Sequence, residues 1–267
     1  MLQKTDLYNN SYGNYAAEAY RQVRLETYGE DFGQTSWVTN EESHQIPKVL
    51  ELTPESNVLE IGCGSGAYAL HLAESIGCSV TGLDLNENGV RNASRLAEER
   101  GLSEKVRFQQ CDASKGLPFK ERTFDAVFAN DALCHIPGRP QLLGEIYRVL
   151  KLRGRMLFSD ALIIGGMVTA EEIATRSSIG YYVYSPPGEN VTLLEAAGYA
   201  KISASDTTES ASLIAGRWHD AREKHREALV NAEGETNFEG LQKFLDRVRT
   251  LTSERRLLRH VYLARRP

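Results

Sequence analysis

The sequence lacks the features that mark disulfide-stapled, zinc-binding or membrane-spanning proteins. It has only four cysteines in 267 residues, and none forms a C-x-x-C spacing, so neither disulfides nor a metal site is expected. No apolar run approaches the ~18 residues that a membrane-spanning helix needs. Residues 1–6 contain no apolar signal core. We therefore expect a cytoplasmic protein without a membrane partner.

An excess of positive charge is also missing. Lysine and arginine total 31 against 36 aspartate and glutamate, a net charge of −5 at pH 7. Proteins that hold nucleic acid through its phosphates are usually basic, so no nucleic-acid partner is expected. The length fits one large α/β domain with insertions. Nothing in the sequence predicts an oligomeric state.

What is present is a glycine-rich turn after a strand-like run. Residues 58–61 are apolar apart from Glu60, and Gly62, Gly64 and Gly66 follow at alternate positions before a helix-like segment. Glycine permits a sharp turn and lets a ligand approach the backbone closely. A strand, a glycine turn and a helix N-terminus together form a pocket for a nucleoside-bearing ligand.

Two cofactors that contain adenosine, NAD and S-adenosylmethionine, are both compatible with this turn. Gly62, Gly64 and Ala67 satisfy the loose NAD pattern G-x-G-x-x-G/A. Glu60 lies two residues before the first glycine, and Asp112 follows a third predicted strand. These two acids match the E/D-x-G-x-G-x-G pattern and acidic strand ends of the class I S-adenosylmethionine (SAM) methyltransferases, which this part of the chain resembles. We therefore predict SAM as the cofactor, with NAD as its competitor.

The apolar periodicity predicts the architecture. Strand and helix patterns alternate over residues 57–161, which indicates a parallel sheet with helices on both faces. The predicted strands are 57–61, 79–84, 105–110, 124–129, 154–161, 199–205 and 257–264, and the predicted helices are 66–76, 87–101, 139–150, 189–197, 209–231 and 238–250. The resemblance implies a Rossmann-like α/β fold, with a seven-stranded, mostly parallel sheet and an antiparallel last strand.

The same pattern predicts how the chain is divided. We expect a helical N-terminal cap over residues 1–45 and a SAM-binding domain over residues 46–267. The alternation of strands and helices is interrupted at about 165–187 and 209–231. We expect these two insertions to bind the methyl acceptor.

Similarity to a narrower group extends beyond the core. Segments 8–13 and 28–37 are similar to the cap of phosphoethanolamine methyltransferases. Residues 128–136 resemble the D-A-x-x-H segment that this group shares with sarcosine/dimethylglycine N-methyltransferases, and residues 258–264 are also similar to theirs. The chain departs from the group in both insertions, and the basic residues that grip a substrate phosphate have no matched counterpart.

The resemblance implies cofactor roles for residues at the strand ends. Glu60 would accept a hydrogen bond from the SAM ammonium, and Asp84 would accept both ribose hydroxyls, since a carboxylate has two acceptor oxygens. Asp112 would accept from the adenine amino group. Each acid also has a structural interpretation, as a helix-dipole partner, a helix N-cap or a turn residue. The predicted cofactor-binding residues are Tyr12, Gln34, Ser36, Glu60, Gly62, Gly64, Gly66, Asp84, Leu85, Asp112, Ala113 and Asn130.

Two residues after the fourth predicted strand are candidates for the chemistry. Methyl transfer displaces a group in line on a cationic reactant, so the protein must align the reacting atoms and exclude water. Asp131 and His135 are the predicted catalytic residues. An imidazole that titrates near neutrality suits proton removal from an amine or hydroxyl. His135 as a base, His135 as a residue that only orients its loop, and an orienting pair with Asp131 remain open.

Aromatic residues are concentrated in the cap and the insertions. Tyr8, Tyr12 and Tyr15 are spaced to share one helix face, and aromatic faces attract ammonium groups, which favours an amine acceptor. Packing in the core is the alternative role for most of these rings. The predicted acceptor-binding residues are Tyr15, Trp37, Arg176, Tyr181, Tyr182 and Trp218. An O- or C-methyltransferase of secondary metabolism or quinone synthesis, and a non-catalytic SAM- or nucleotide-binding protein, are the alternative functions.

Overall fold

A computed structural model describes residues 5–267 of the chain. One seven-stranded sheet runs through them, in the order β3-β2-β1-β4-β5-β7-β6. Its strands are β1 (Asn57–Ile61), β2 (Ser79–Asp84), β3 (Val106–Gln110), β4 (Phe124–Ala129), β5 (Leu150–Ile164), β6 (Ala200–Asp206) and β7 (Leu257–Arg265). Strands β1 to β5 pair in parallel, and β7 is antiparallel to both β5 and β6. The predicted α/β fold with an antiparallel last strand is confirmed.

Helices cover the sheet and precede it. They are α1 (Tyr8–Gly13), α2 (Glu18–Tyr28), α3 (Asn40–Val49), α4 (Ala67–Ser75), α5 (Glu87–Glu99), α6 (Arg139–Val149), α7 (Ala170–Arg176), α8 (Glu189–Ala196), α9 (Thr208–Lys224), α10 (Arg226–Glu233) and α11 (Glu235–Ser253). Two single-turn 3₁₀ helices, Ala113–Lys115 and Leu133–His135, follow β3 and β4. None of the helices within residues 5–267 is both long and apolar enough to cross a membrane.

The parallel order of the strands positions the site. Strand β1 lies in the middle of the sheet, where Val58 and Leu59 are fully buried. Glu60 near its end pairs with Gly82 on β2 and with Phe128 on β4. Because parallel strands end at the same edge, the loops after β1, β2, β3 and β4 meet there. The residues that follow these strands therefore share one edge of the sheet.

The N-terminal helices and the helices after β6 share a second apolar core, which also includes Ala161 of β5. Tyr28 of α2, Trp37, Trp218 of α9 and Phe244 of α11 belong to one buried apolar cluster. Their rings lie in contact, with 5.9 Å between the ring centroids of Trp37 and Trp218. The N-terminal helices are therefore packed on the helices that follow β6.

The structure corrects the single helix predicted over 209–231. Helix α9 ends at Lys224 and α10 begins at Arg226, so the chain bends at His225. Lys224 Nζ and His225 Nε2 both contact Glu26 Oε1, at 2.8 and 2.9 Å. This link to α2 fixes the bend, and no proline or glycine marks it in the sequence.

Candidate functional site

A cavity of about 710 Å³ lies at the carboxyl edge of β1, β2 and β4, between the sheet and α1. This volume is typical of a small-molecule site. The structure brings most of the predicted site residues onto its wall: Tyr12, Gln34, Ser36, Glu60, Gly62, Gly64, Asp84, Leu85, Asp112, Ala113, Asn130, Asp131, His135 and Tyr181. The predicted residues that do not line it are Gly66, Tyr15, Trp37, Arg176, Tyr182 and Trp218.

The glycine loop forms one wall of the cavity. Gly62 and Gly64 have φ angles of +80° and +52°, which side-chain-bearing residues rarely adopt. A Cβ on Gly62 would lie 2.5 Å from that of Ala132, and one on Gly64 would lie 2.9 Å from the Tyr12 hydroxyl. Tyr12 therefore lies directly over the loop, where its Oη is 3.2 Å from Thr35 Oγ1.

Asp84 is held by backbone amides at the end of β2. Its Oδ2 accepts from Gly64 N and its Oδ1 from Asn86 N, both at 2.8 Å. Asn86, and not Asp84, caps α5, since its Oδ1 accepts from the first-turn amides. Burial raises the pKa of Asp84. Each Asp84 oxygen keeps acceptor capacity toward the cavity, as a ribose-binding carboxylate requires.

Glu60 is a buried carboxylate with a missing partner. It is 4% exposed, and its Oε2 has no hydrogen-bond partner within the described chain. Burial, and then the charge of Asp84, raise the pKa of Glu60 to about 8. A buried unpaired acid is costly, and a ligand ammonium is the complement it lacks.

Asp112 and Gln34 line the cavity with side chains that are already engaged. Asp112 Oδ1 accepts from the Ser114 amide at 3.1 Å and hydroxyl at 2.6 Å, and its Oδ2 pairs with Lys115 at 3.0 Å. Asp112 thus caps the 3₁₀ helix after β3. Gln34 Oε1 accepts from Phe32 N at 2.8 Å, so Gln34 shapes its own loop. Their cofactor contacts stay predictions.

His135 lies in the cavity between two tyrosines. Its Nδ1 is 3.1 Å from the Tyr181 carbonyl oxygen, which only accepts, so Nδ1 carries the proton. Nε2 therefore accepts from the Tyr8 hydroxyl at 2.9 Å. Burial, and then the Arg176 charge, lower the pKa of His135 to about 4. His135 is thus a neutral imidazole whose Nε2 lone pair accepts from the Tyr8 hydroxyl.

The structure corrects the catalytic role predicted for Asp131. Its carboxylate oxygens lie 3.0 and 3.2 Å from Arg259 Nε, and Oδ2 also accepts from Trp37 N at 2.9 Å. Both side chains of the ion pair are almost fully buried. Asp131 is occupied by structural partners, and His135 bonds to Tyr8 and Tyr181 instead of to Asp131. The orienting pair of Asp131 and His135, one of the possibilities left open by the sequence, is therefore not formed, and Asp131 positions its loop.

Gly66 and Tyr15 have structural environments. A Cβ on Gly66 would come within 2.5 Å of Ala93 and Phe108, so this glycine permits helix and strand packing behind the loop. Helix α1 ends at Gly13, which takes Tyr15 off the face that Tyr8 and Tyr12 share. The Tyr15 ring instead lies under the Arg24 guanidinium, at 4.4 Å.

The predicted aromatic wall of the acceptor site is mostly core, which corrects the acceptor roles of four residues. Trp37 and Trp218 are each 5% exposed and pack on one another. Arg176 is 1% exposed, with its guanidinium over the Tyr182 ring at 4.6 Å. Tyr182 in turn packs behind His135, with 4.3 Å between ring centroids. Of this set only Tyr181 reaches the cavity, and it is 57% exposed.

Several cavity residues were not predicted. The i, i+4 spacing of Tyr8 and Tyr12 puts both rings on one helix face, and this spacing is the sequence signal that points to Tyr8 as a cavity residue. Arg259 does not line the cavity but holds Asp131, and it has no local signal because the two residues are 128 positions apart. The cavity also has an apolar part, formed by Ile136, Pro137 and Ile179. Among residues 5–267 no three His, Cys, Asp or Glu side chains are grouped as metal ligands would be.

Comparison with known proteins shows which protein family this part of the sequence matches. Residues 59–158 match the family model of a methyltransferase domain. Sterol 24-C-methyltransferase ERG6B of Gibberella zeae is 37% identical over 150 residues, which cover 56% of this chain and 37% of that protein. Together with the fold, these matches identify residues 59–158 as a class I SAM-dependent methyltransferase domain.

Similarity to the phosphoethanolamine N-methyltransferases covers more of the chain. Phosphoethanolamine N-methyltransferase 3 of Arabidopsis thaliana is 27% identical over 214 residues, 80% of this chain and 42% of that protein. The chain thus spans less than half the length of these two relatives. The structure of Haemonchus contortus phosphoethanolamine N-methyltransferase 2 superposes with a TM-score of 0.81 at 20% identity, covering 97% of this chain and 60% of that one. This likeness concerns the fold.

Proposed function

We propose that the chain transfers a methyl group from SAM to a small-molecule acceptor, with an amine nitrogen as the favoured acceptor atom. One observation carries the proposal: a single cavity holds Glu60 and Asp84 beside the glycine loop and neutral His135 beyond it. Bound SAM would supply a methyl group on a cationic sulfonium. Glu60 would hold the ammonium, Asp84 the ribose, and Leu85 and Ala113 would flank the adenosine.

The chain's own residues support the transfer in three ways. Helix α1 covers the cavity with Tyr8 and Tyr12, which limits access of water to the reacting atoms. The walls hold acceptor and donor in one orientation. The Nε2 of His135 is unprotonated at neutral pH and would take the acceptor proton once the Tyr8 hydroxyl moves aside. The lowered pKa makes His135 a weaker base than an ordinary imidazole, so its position in the cavity, and not its basicity, supports this role.

The charge on the wall favours an amine. Its ionisable side chains, apart from the phenols, thiols and His135, are all acids: Glu60, Asp84, Glu87, Asp112 and Asp131. No lysine or arginine among the described residues lines it. Asp112 and Asp131 are already paired with Lys115 and Arg259. The other acids would attract a cationic cofactor and an amine, and the wall offers a phosphate ester no cationic side chain. We therefore expect phosphoethanolamine, which several relatives are named for, to be a poor acceptor.

Incubation with SAM carrying a deuterated methyl group tests the proposal. The acceptor panel contains primary and secondary amines, phenols and phosphoethanolamine, and mass spectrometry detects S-adenosylhomocysteine and the labelled product. We expect labelled amines. Efficient labelling of phosphoethanolamine would overturn the acceptor class. Tight SAM binding without any transfer would support a non-catalytic binding protein, and a melting temperature raised by NAD alone would restore the NAD interpretation.

C-methylation is the second candidate. The match to a sterol 24-C-methyltransferase, at 37% identity over 150 residues, favours it. Nuclear magnetic resonance of the labelled product identifies the methylated atom and separates nitrogen, oxygen and carbon acceptors. A cytoplasmic location remains a prediction from the sequence.

A further inference from the structure

The cavity has an apolar passage beside His135, formed by two chain segments. The first runs from Ala132, which packs against Gly62 of the glycine loop, through His135 to Ile136 and Pro137. Ala132 and Ile136 are partly buried, and Pro137 is exposed. This wall therefore leads from the cofactor loop outward to solvent.

The second segment, residues 179–181, also becomes more exposed along its length. Ile179 is 5% exposed, Gly180 is half-buried and Tyr181 is 57% exposed, and all three line the cavity. Hydrogen bonds tie the two segments together: His135 Nδ1 to the Tyr181 carbonyl at 3.1 Å, and Val183 N to the Cys134 carbonyl at 2.8 Å. The two segments are thus held together, and Pro137 and Tyr181 are their most exposed cavity residues.

The walls carry no charged side chain. His135 is their one titratable group apart from the Tyr181 phenol, and both of its ring nitrogens are hydrogen-bonded. Of the charged groups nearby, Asp131 is paired with Arg259. Arg176 is 1% exposed behind Tyr182 and does not line the cavity. A charged group in the passage would lose its water without gaining a partner, whereas an apolar group would be favoured.

We propose that the methyl acceptor carries an apolar arm, an alkyl chain or hydrocarbon ring, which leaves the cavity between Pro137 and Tyr181 and is bound without a charged anchor. The inference rests on the proposed function, because it assumes that the reacting atom of the acceptor lies beside His135. The passage is continuous with the cofactor cavity, which assigns it to the acceptor and not to a partner protein. An arm in this place also removes the exposed Tyr181 ring from water.

Binding of n-alkylamines, from butylamine to decylamine, tests the arm without any turnover. The protein is first saturated with S-adenosylhomocysteine, and affinity for each amine is measured by calorimetry. Each added methylene should tighten binding about fourfold, the equivalent of about 0.8 kcal/mol, until the passage is filled. Alkanoates of equal length should bind more weakly, because their heads meet an acidic wall. An affinity that does not change with chain length would overturn the proposal.

A pair of matched variants locates the effect. Tyr181→Ser removes the exposed ring but keeps the carbonyl that accepts from His135. Leu152→Ser removes a similarly exposed side chain, 59% against 57%, which does not line the cavity. We expect a smaller gain per methylene for Tyr181→Ser only, with unchanged S-adenosylhomocysteine affinity and melting temperature in both. An equal gain in affinity per methylene in the two variants would also overturn the proposal of an apolar arm.

The two proposals fail in different ways. If S-adenosylhomocysteine does not bind, the proposed function fails. If it binds and the amines show the length dependence without methyl transfer, the passage is a genuine ligand site and only the transfer is wrong. If transfer occurs on acceptors without an arm as efficiently as on acceptors with one, the proposed function holds and the arm is wrong.

Discussion

Arg259 and Asp131 form a buried ion pair that joins the last strand to the loop after β4. Arg259 Nε lies 3.0 and 3.2 Å from the two carboxylate oxygens, and Arg259 Nη1 reaches Glu42 of α3 at 3.0 Å. Asp131 has a φ of +52°, an unfavourable conformation for a side-chain-bearing residue. The ion pair, with the Trp37 amide, holds the cap, the sheet and the loop that carries His135 in one arrangement.

Asp131→Ala should destabilise the protein by about 3 kcal/mol, because it leaves a buried guanidinium with only Glu42 as its acidic partner. Urea unfolding measures the change. Arg95→Ala is the control: its ion pair with Glu99 is about half exposed on the surface of α5, so the loss should stay below about 0.5 kcal/mol. Similar losses in the two variants would contradict the structural role of Asp131.

The features of the fold and site that could be predicted from the sequence are those with a local sequence pattern. Strands β1, β2 and β4 have the predicted bounds, since apolar runs ended by glycine or acid mark them. The glycine loop and Asp84 lie at the site for the same reason. The ends of parallel strands meet at one edge, so listing the residues that follow each strand is enough to collect them.

The other features of the site depend on contacts between residues far apart in the sequence, which local patterns cannot predict. Arg259 and Asp131 are 128 residues apart, and Tyr8 is 127 residues from His135. Trp218 shows why composition misleads: an apolar face on a helix fits a ligand wall and a core equally well. The packing of α9 against α2 and Trp37 shows that Trp218 belongs to the core and not to the ligand wall.

Asp84→Ala should weaken S-adenosylhomocysteine binding by about 1.5–3 kcal/mol, because it removes a charge-assisted acceptor for the ribose. It should also lower the melting temperature, since the amides of Gly64 and Asn86 lose their partner. Asp125→Ala is a matched control. Asp125 also accepts a backbone amide, from Asn57 at 2.9 Å, but does not line the cavity. Calorimetry that gave equal affinities for both variants would remove Asp84 from the site.

His135→Ala should reduce turnover about 10²–10⁴-fold with little change in cofactor affinity, if His135 is the general base. Because its pKa is lowered to about 4, the imidazole is already neutral above about pH 5, so the pH profile of kcat/KM should show no acid limb near pH 6.5. Steady-state kinetics from about pH 5 to 8 checks both expectations. A turnover loss below about tenfold would exclude the base.

Two further variants separate chemistry from positioning at the same residue. His135→Asn keeps a donor for the Tyr181 carbonyl and an acceptor for the Tyr8 hydroxyl, but it has no basic nitrogen. Restored turnover in this variant would mean that His135 only orients its loop. Tyr8→Phe removes the hydroxyl that occupies Nε2 and leaves the imidazole in place. We expect it to cost less activity than His135→Ala.

The raised pKa of Glu60 predicts a proton linked to folding and to binding. In the unfolded chain the carboxyl ionises near its ordinary value of 4.5, whereas in the folded protein its pKa is about 8. Between these values the folded state holds more protons, so the free energy of unfolding should fall as pH rises through this range. A bound ammonium favours the ionised carboxylate, so S-adenosylhomocysteine binding near neutral pH should release a proton.

Calorimetry in buffers of different ionisation enthalpy measures that proton release. Glu60→Gln is neutral at every pH, so it should abolish the release and flatten the pH dependence of stability between about pH 5 and 8. If the wild-type protein releases no proton on binding at about pH 7, Glu60 is either already ionised or does not meet the ligand.

Cofactor binding should slow hydrogen exchange in α1. This six-residue helix is held on the domain by a few side-chain bonds. Tyr8 bonds to His135 and Tyr12 to Thr35, Asn86 donates to Asn9 Oδ1 at 2.8 Å, and Asn92 donates to the Tyr12 carbonyl at 2.7 Å. So short a helix opens readily on its own. A ligand under Tyr8 and Tyr12 must be released by that opening, so S-adenosylhomocysteine adds its binding energy to the closed state.

The amides of Ser11 and Asn14, which donate to the carbonyls of Leu7 and Asn10, report this closure. Their exchange should slow when S-adenosylhomocysteine is added. The amides of α8 (Glu189–Ala196), which does not line the cavity, serve as the internal control and should change less. Unchanged exchange at Ser11 and Asn14, in protein shown by calorimetry to be saturated, would mean that α1 packs on the site permanently and that the acceptor enters by another route.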